Sequence, residues 1–130
     1  MKTHSTNYVS TFLAVADDCP VTAGEAPPLG TKKTAARQEY EMLLAEPYVH
    51  TSDDVIYAVR GRDKGISRGE FFSKGQPCFR TSALTKRYGW GVHFDEKARM
   101  AIYPAGSAAY EALKNRGDLT QLKAARSKKA

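Results

Sequence analysis

The sequence has no long hydrophobic run. Its longest, "FLAVA" at residues 12–16, falls far short of the roughly 20 apolar residues that a membrane-spanning helix requires. The opening "MKTHSTNYVSTFLAVADD" also lacks the apolar core of a secretory signal. Together these absences predict a cytoplasmic protein with no membrane partner. Cysteine is scarce: Cys19 and Cys78 each adjoin a proline, and neither belongs to a CxxC pair. Such thiols in a reducing compartment are expected to stay free. His4, His50 and His93 are scattered among them without the spacing of zinc ligands, so no metal site and no cofactor are expected. No motif of a known catalytic class is legible.

What is present reads as one domain over residues 1–130, with 42% hydrophobic and 26% charged residues placing it among ordinary globular chains. The charge is unevenly spread. Residues 1–59 carry four Lys/Arg and eight Asp/Glu, a net of −4, whereas residues 60–130 carry 16 and six, a net of +10. Either the two halves pack together and neutralise each other, or the second half forms a basic face that attracts an anion, nucleic acid included.

Local patterns give the elements. "NYVSTFLAVA" predicts a strand inside a sheet, with Val9, Leu13 and Val15 on one face and Tyr8, Phe12 and Ala14 on the other. A loop rich in proline and glycine follows, of a length that is often functional or mobile; its Asp17, Asp18 and Glu25 read as solvated surface. "KKTAARQEYEMLLAEP" is an amphipathic helix with Ala36, Tyr40, Leu43 and Leu44 on its apolar side. "TSDDVIYAVRGR" starts another, with Ser52 as its cap and Asp53 and Asp54 at the positive end of its dipole. Ser67 and Glu70 fit a capping box, closed by Gly75 in a left-handed conformation. Ser82 caps a further short helix ending at Gly89.

"WGVHF" and "RMAIY" predict a hairpin. An odd-numbered loop pairs Phe94 with Met100 and Val92 with Ile102, collecting Trp90 with them on one face and setting Asp95 near Arg99. Since a one-residue slip would turn every side chain over, burial selects that register. Gly91, His93, Ala101 and Tyr103 then occupy the other face. Ser107 caps a last helix, and a basic tail from about residue 118 is expected to be helical as far as Ala125. The order predicts an α+β fold: a small antiparallel sheet of three or more strands, built on the N-terminal strand and the C-terminal hairpin, with helices mainly on one face.

The candidate site is "SKGQPCFRTSALTKRYGWGVH", residues 73–93, which holds Lys74, Arg80, Lys86 and Arg87. Thr81 and Ser82 place hydroxyls at a helix start, and Arg80 offers a planar fork to a carboxylate or phosphate. Tyr88 beside these cations could stack a base. The leading expectation is a non-enzymatic domain binding a small anionic ligand or nucleic-acid phosphate through Lys74, Arg80, Thr81, Ser82, Lys86, Arg87 and Tyr88. The competing structural role is that Arg80 and Arg87 pair with Asp53, Asp54 or Glu70. Trp90 reads as a core anchor. Two alternatives remain: an enzyme using Cys78 as nucleophile and His93 as its base, and a homodimeric scaffold that covers the open sheet face. The basic tail is either a frayed end or a phosphate-contacting arm.

"FLAVADDCPVTAGEAPP", "TSDDV", "FFSKGQPCFRTSALTKRYGWG" and "LKAARSK" together resemble a family of short, mainly bacterial proteins known only as a domain of unknown function. The resemblance implies a single-domain unit and brings no activity or site with it. Residues 75–113, with "GQPCF", the hairpin and "SAAYEALK", are more weakly similar to YdhG-like domains. That likeness implies an α+β fold, and in some members an iron-delivering, frataxin-like role. No acidic ligand set in this sequence matches it.

Overall fold

A strand needs partners for both its edges, and β1 (Thr11–Ala14) finds them in distant parts of the chain. The computed structural model describes residues 3–127. In it β1 pairs antiparallel with β2 (Trp90–Phe94) and parallel with β4 (Thr120–Lys123), while β3 (Met100–Pro104) flanks β2. The sheet is mixed, in the order β3-β2-β1-β4. The hairpin takes the odd loop that burial demanded, with Phe94 opposite Met100 and Val92 opposite Ile102. Asp95 closes it by accepting hydrogen bonds from the Lys97 and Arg99 amides through Oδ1, each at 2.8 Å.

The parallel strand β4 corrects the expected tail. Residues 120–123 are extended, not helical, and only Leu122 among them is even partly buried. What holds them is the backbone ladder to β1, continued by Ala124 N–H donating to Ala14 O at 2.9 Å. Lys128 and Lys129 of the tail lie outside the described residues.

Helices cover both faces. On one, α1 (Ala35–Ala45), α2 (Ser52–Arg60), α3 (Arg68–Phe71) and α4 (Ala83–Lys86) enclose a core of Leu13, Leu43, Ile56, Leu84, Val92, Phe94 and Met100. Trp90 anchors it, stacking edge-on to Tyr40 at 5.4 Å and donating its indole N–H to Glu25 O at 2.8 Å. On the other face α5 (Ala108–Lys114), capped by Ser107, packs Tyr110 and Leu113 against Phe12 and Ala14. Gly91 permits this: a Cβ there would sit 2.6 Å from the Tyr110 ring and 2.8 Å from that of Phe12. The face expected to lie open to a second copy is therefore partly covered from within the chain.

Four local expectations need correction. Leu44, expected on the apolar side of α1, is exposed. Thr51, not Ser52, caps α2, in a reciprocal capping box with Asp54; Ser52 is buried and bonds Thr6 instead. Gly75 does not take a left-handed conformation, whereas Gly89 does, at φ +80°. Ser10 has φ +46°, which ends the alternation. Val9 is consequently exposed, and Tyr8 turns onto the Leu13 side of the sheet, edge-on to Phe94 at 5.3 Å. The long loop is pinned to the hairpin, as Glu25 N–H donates to Tyr88 O at 2.8 Å.

Candidate functional site

The apolar side of α1 carries one acid. Glu39 lies three residues after Ala36 and four before Leu43, so the helical period turns it inward with them. It is 2% exposed. Ser82, the N-cap of α4, donates its hydroxyl hydrogen to Glu39 Oε1 at 2.6 Å and accepts from the Leu84 amide at 3.1 Å. The other oxygen, Oε2, accepts no hydrogen bond among the described residues and is not sealed from solvent, and Glu39 lines a cavity. Burial pushes the carboxyl up from 4.5 to about 7, against the opposing pull of the Ser82 hydroxyl and the Arg60 charge.

That cavity, of about 400 Å³, is walled by Thr34, Ala35 and Ala36 of the α1 entry, Arg60 at the end of α2, and Thr81 to Ala83 with Lys86, Arg87 and Tyr88 around α4. A second cavity of about 580 Å³ shares Ala35 and Arg60 and adds Lys64 and Lys74. The two adjoin as one groove lined mainly by cations, with Glu70 and Glu39 as its acids. None of Arg60, Lys64, Lys74, Lys86 and Arg87 makes an ion pair with a carboxylate among the described residues. At the α1 entry Thr34 caps the Arg37 amide at 3.2 Å, while the Ala35 and Ala36 amides have no described acceptor.

Of the residues singled out in the sequence, Thr81, Ser82, Lys86, Arg87 and Tyr88 thus share one cavity, and Lys74 lies in its neighbour. Two details differ. The Ser82 hydroxyl is committed to Glu39 and that of Thr81 donates to Cys78 O at 2.9 Å, so neither has a hydrogen left for a guest. Arg80 lies outside the groove; its Nε donates to Lys123 O at 3.0 Å and its carbonyl accepts from Ala125, tying the chain to the strand after α5.

The ion pairing expected for Arg80 and Arg87 is absent among the described residues. Asp54 pairs with Arg68 at 2.8 Å, and Asp53 is held by Ser5 and Thr6. Apart from Arg68–Asp54, only Lys123–Asp17 at 3.0 Å crosses between the two halves of the chain among the described ion pairs.

Cys78 and His93 are not brought together. The Cys78 sulfur contacts the Tyr8 hydroxyl at 3.4 Å on the face covered by α1 to α4; burial and this contact push Tyr8 up to about 12. His93 projects from the opposite face, where its Nδ1 lies 2.7 Å from the Tyr48 hydroxyl. That hydroxyl is also 2.7 Å from the Tyr103 hydroxyl. Tyr48 holds this place at φ +60°, an uncommon conformation for a bulky residue, secured by its amide donating to Met100 O at 2.7 Å. Burial lowers the His93 pKa, assisted by the Arg116 charge, and burial raises that of Tyr48.

Among the described residues no group of three or more His, Cys, Asp or Glu gathers to hold a metal, and no helix is long and apolar enough to cross a membrane. The sequence reading missed Arg60, Lys64 and Glu39. Glu39 left a signal, a lone acid on an apolar helix face; Arg60 and Lys64 left none beyond their charge.

No curated protein and no solved structure matches the chain. A family model does, over residues 3–130. The chain belongs to DUF6157, a family of unknown function.

Proposed function

We propose that the protein is a non-enzymatic binding domain for a small oxyanion, received in the cavity between the α1 entry and α4. The observation that carries this reading is the set of three cations, Arg60, Lys86 and Arg87, that line one concave space without an ion-pair partner among the described residues. Like charges gathered around a hollow repel one another, and an anion placed there relieves that repulsion. The Ala35 and Ala36 amides, at the positive end of an eleven-residue helix, add donors of the same sense. Two free cysteines fit the reducing cytoplasm as its setting. The separation of Cys78 from His93 by the sheet speaks against the nucleophile–base pair.

Titrating inorganic phosphate into the isotopically labelled protein at about 50 mM salt tests the reading. Amide shifts centred on Ala35, Ala36 and Arg87 are expected, and the triple replacement of Arg60, Lys86 and Arg87 by Ala should abolish them. Absence of shifts at the cavity would overturn it. Saturable binding of single-stranded DNA with a steep salt slope, and none of phosphate, would transfer the groove to nucleic acid instead.

A further inference from the structure

An anion site built to hold only negative charge would have no use for a carboxylate in its wall. This one has Glu39, buried and lining the cavity, held on one oxygen by Ser82 and with no hydrogen-bond partner for Oε2 among the described residues. We infer that Glu39 makes the cavity selective for phosphate-type oxyanions, which bring a proton with them, over sulfate-type oxyanions of the same shape, which do not. The inference rests on the anion-binding reading and names the class of ligand.

The reasoning is a proton balance. Oε2 and the nearest oxygen of a bound anion would lie close together beside the buried Glu39 side chain, and two bare negative oxygens there repel. One proton between them turns the repulsion into a charge-assisted hydrogen bond. Hydrogen phosphate carries that proton on its own hydroxyl and donates it in the hydrogen bond to Oε2, so no covalent bond is exchanged and no proton need be taken from solvent. A phosphate monoester, whose second ionisation lies near pH 6, brings such a proton only below about that pH and behaves like sulfate above it. Sulfate has no proton to offer at neutral pH. It can enter only when Glu39 takes one from water, which becomes costlier as the pH rises.

The surroundings suit such a shared proton. Glu39 meets the Ser82 hydroxyl directly and feels the Arg60 charge, and it shares the cavity wall with Arg60, Lys86, Arg87 and Tyr88. The cations keep the empty site from being too hostile to a carboxylate, and burial keeps it from being ionised outright. The resulting carboxyl, near pH 7, stands where a phosphate-type ligand itself titrates.

Calorimetric titrations of inorganic phosphate and inorganic sulfate at about pH 8, in buffers of different ionisation enthalpy, test the proposal. Phosphate should bind at least about tenfold more tightly, the worth of one hydrogen bond to a charged group. Sulfate should take up close to one proton per anion bound and phosphate close to none, and the gap should narrow at about pH 6. Glu39→Gln should erase the preference and raise the sulfate affinity. Equal affinities for the two anions in the unaltered protein, without proton uptake, would sink the selectivity and leave the anion site standing. A preference that survives in E39Q would remove Glu39 from the account. Binding of neither anion would remove the site itself. The measurements on the unaltered protein decide the matter even if E39Q fails to fold.

Discussion

Ser82 reaches from the cap of α4 to Glu39 in the middle of α1, across 2.6 Å, and so joins two helices through a carboxyl that has no business in a core unless it is held. The bond serves the fold as well as the cavity. An ionised carboxylate buried this deeply costs free energy that a single hydroxyl does not fully offset.

The sign of the resulting pH dependence is fixed. The folded-state pKa of Glu39, about 7, lies above its ordinary 4.5. Its contribution to stability is therefore fully present below about pH 4.5 and is lost as pH rises through about 7. Denaturant unfolding followed from pH 5 to pH 8 should show this decline in the unaltered protein. In E39Q the decline should shrink, leaving the variant more stable at pH 8 by up to roughly 3 kcal/mol. An unchanged slope in E39Q would refute the assignment.

His93 should behave oppositely. Burial and the Arg116 charge depress it below 6.5, so its contribution is present above that value and lost as pH falls through the depressed one. The imidazole resonances should titrate below pH 6.5, and Arg116→Gln should move the midpoint upward. Tyr48→Phe, which deprives both His93 Nδ1 and the Tyr103 hydroxyl of their 2.7 Å partner, should cost about 1–3 kcal/mol.

Separation by the sheet predicts independence. In a Cys19→Ser background, His93→Gln should leave the rate of Cys78 alkylation within about twofold of its original value. A large fall would mean that the two side chains meet, and would revive a catalytic pair.

Packing behind Gly91 gives the sharpest mechanical test. Gly91→Ala drives a methyl into the Tyr110 and Phe12 rings and should destabilise by roughly 1–3 kcal/mol. Gly117→Ala, where a Cβ meets nothing within 4 Å, serves as the control and should be close to neutral.

What the sequence disclosed follows where burial left a periodic mark. Trp90, Val92, Phe94, Met100 and Ile102 alternate, and only an odd loop buries them all, so the hairpin register was legible without coordinates. The cluster Thr81, Ser82, Lys86, Arg87 and Tyr88 was legible because it brackets one short helix, close together along the chain. The strand Thr120–Lys123 was not: three of its four side chains are exposed, so no alternation marks it, and only main-chain pairing to β1 makes it a strand. The other side of the cavity was hidden for a similar reason. Arg60 and Ala35 come from helices whose mutual placement no local pattern encodes, and Ser10, an ordinary serine by sequence, redirects Val9 and Tyr8 through its backbone alone.

The neighbour of Thr11 along the outer edge of β1 is Thr120. On a ribosome, therefore, the first strand emerges long before the residues that shield its flank, and closing so long a loop carries an entropic cost that local helices escape. Until residues 120–123 have emerged, an unpaired row of amides and carbonyls waits beside Phe12 and Leu13. Nascent copies are accordingly most prone to clump in that interval, and a chaperone that masks the early strand would raise the yield of folded molecules more than one acting after release.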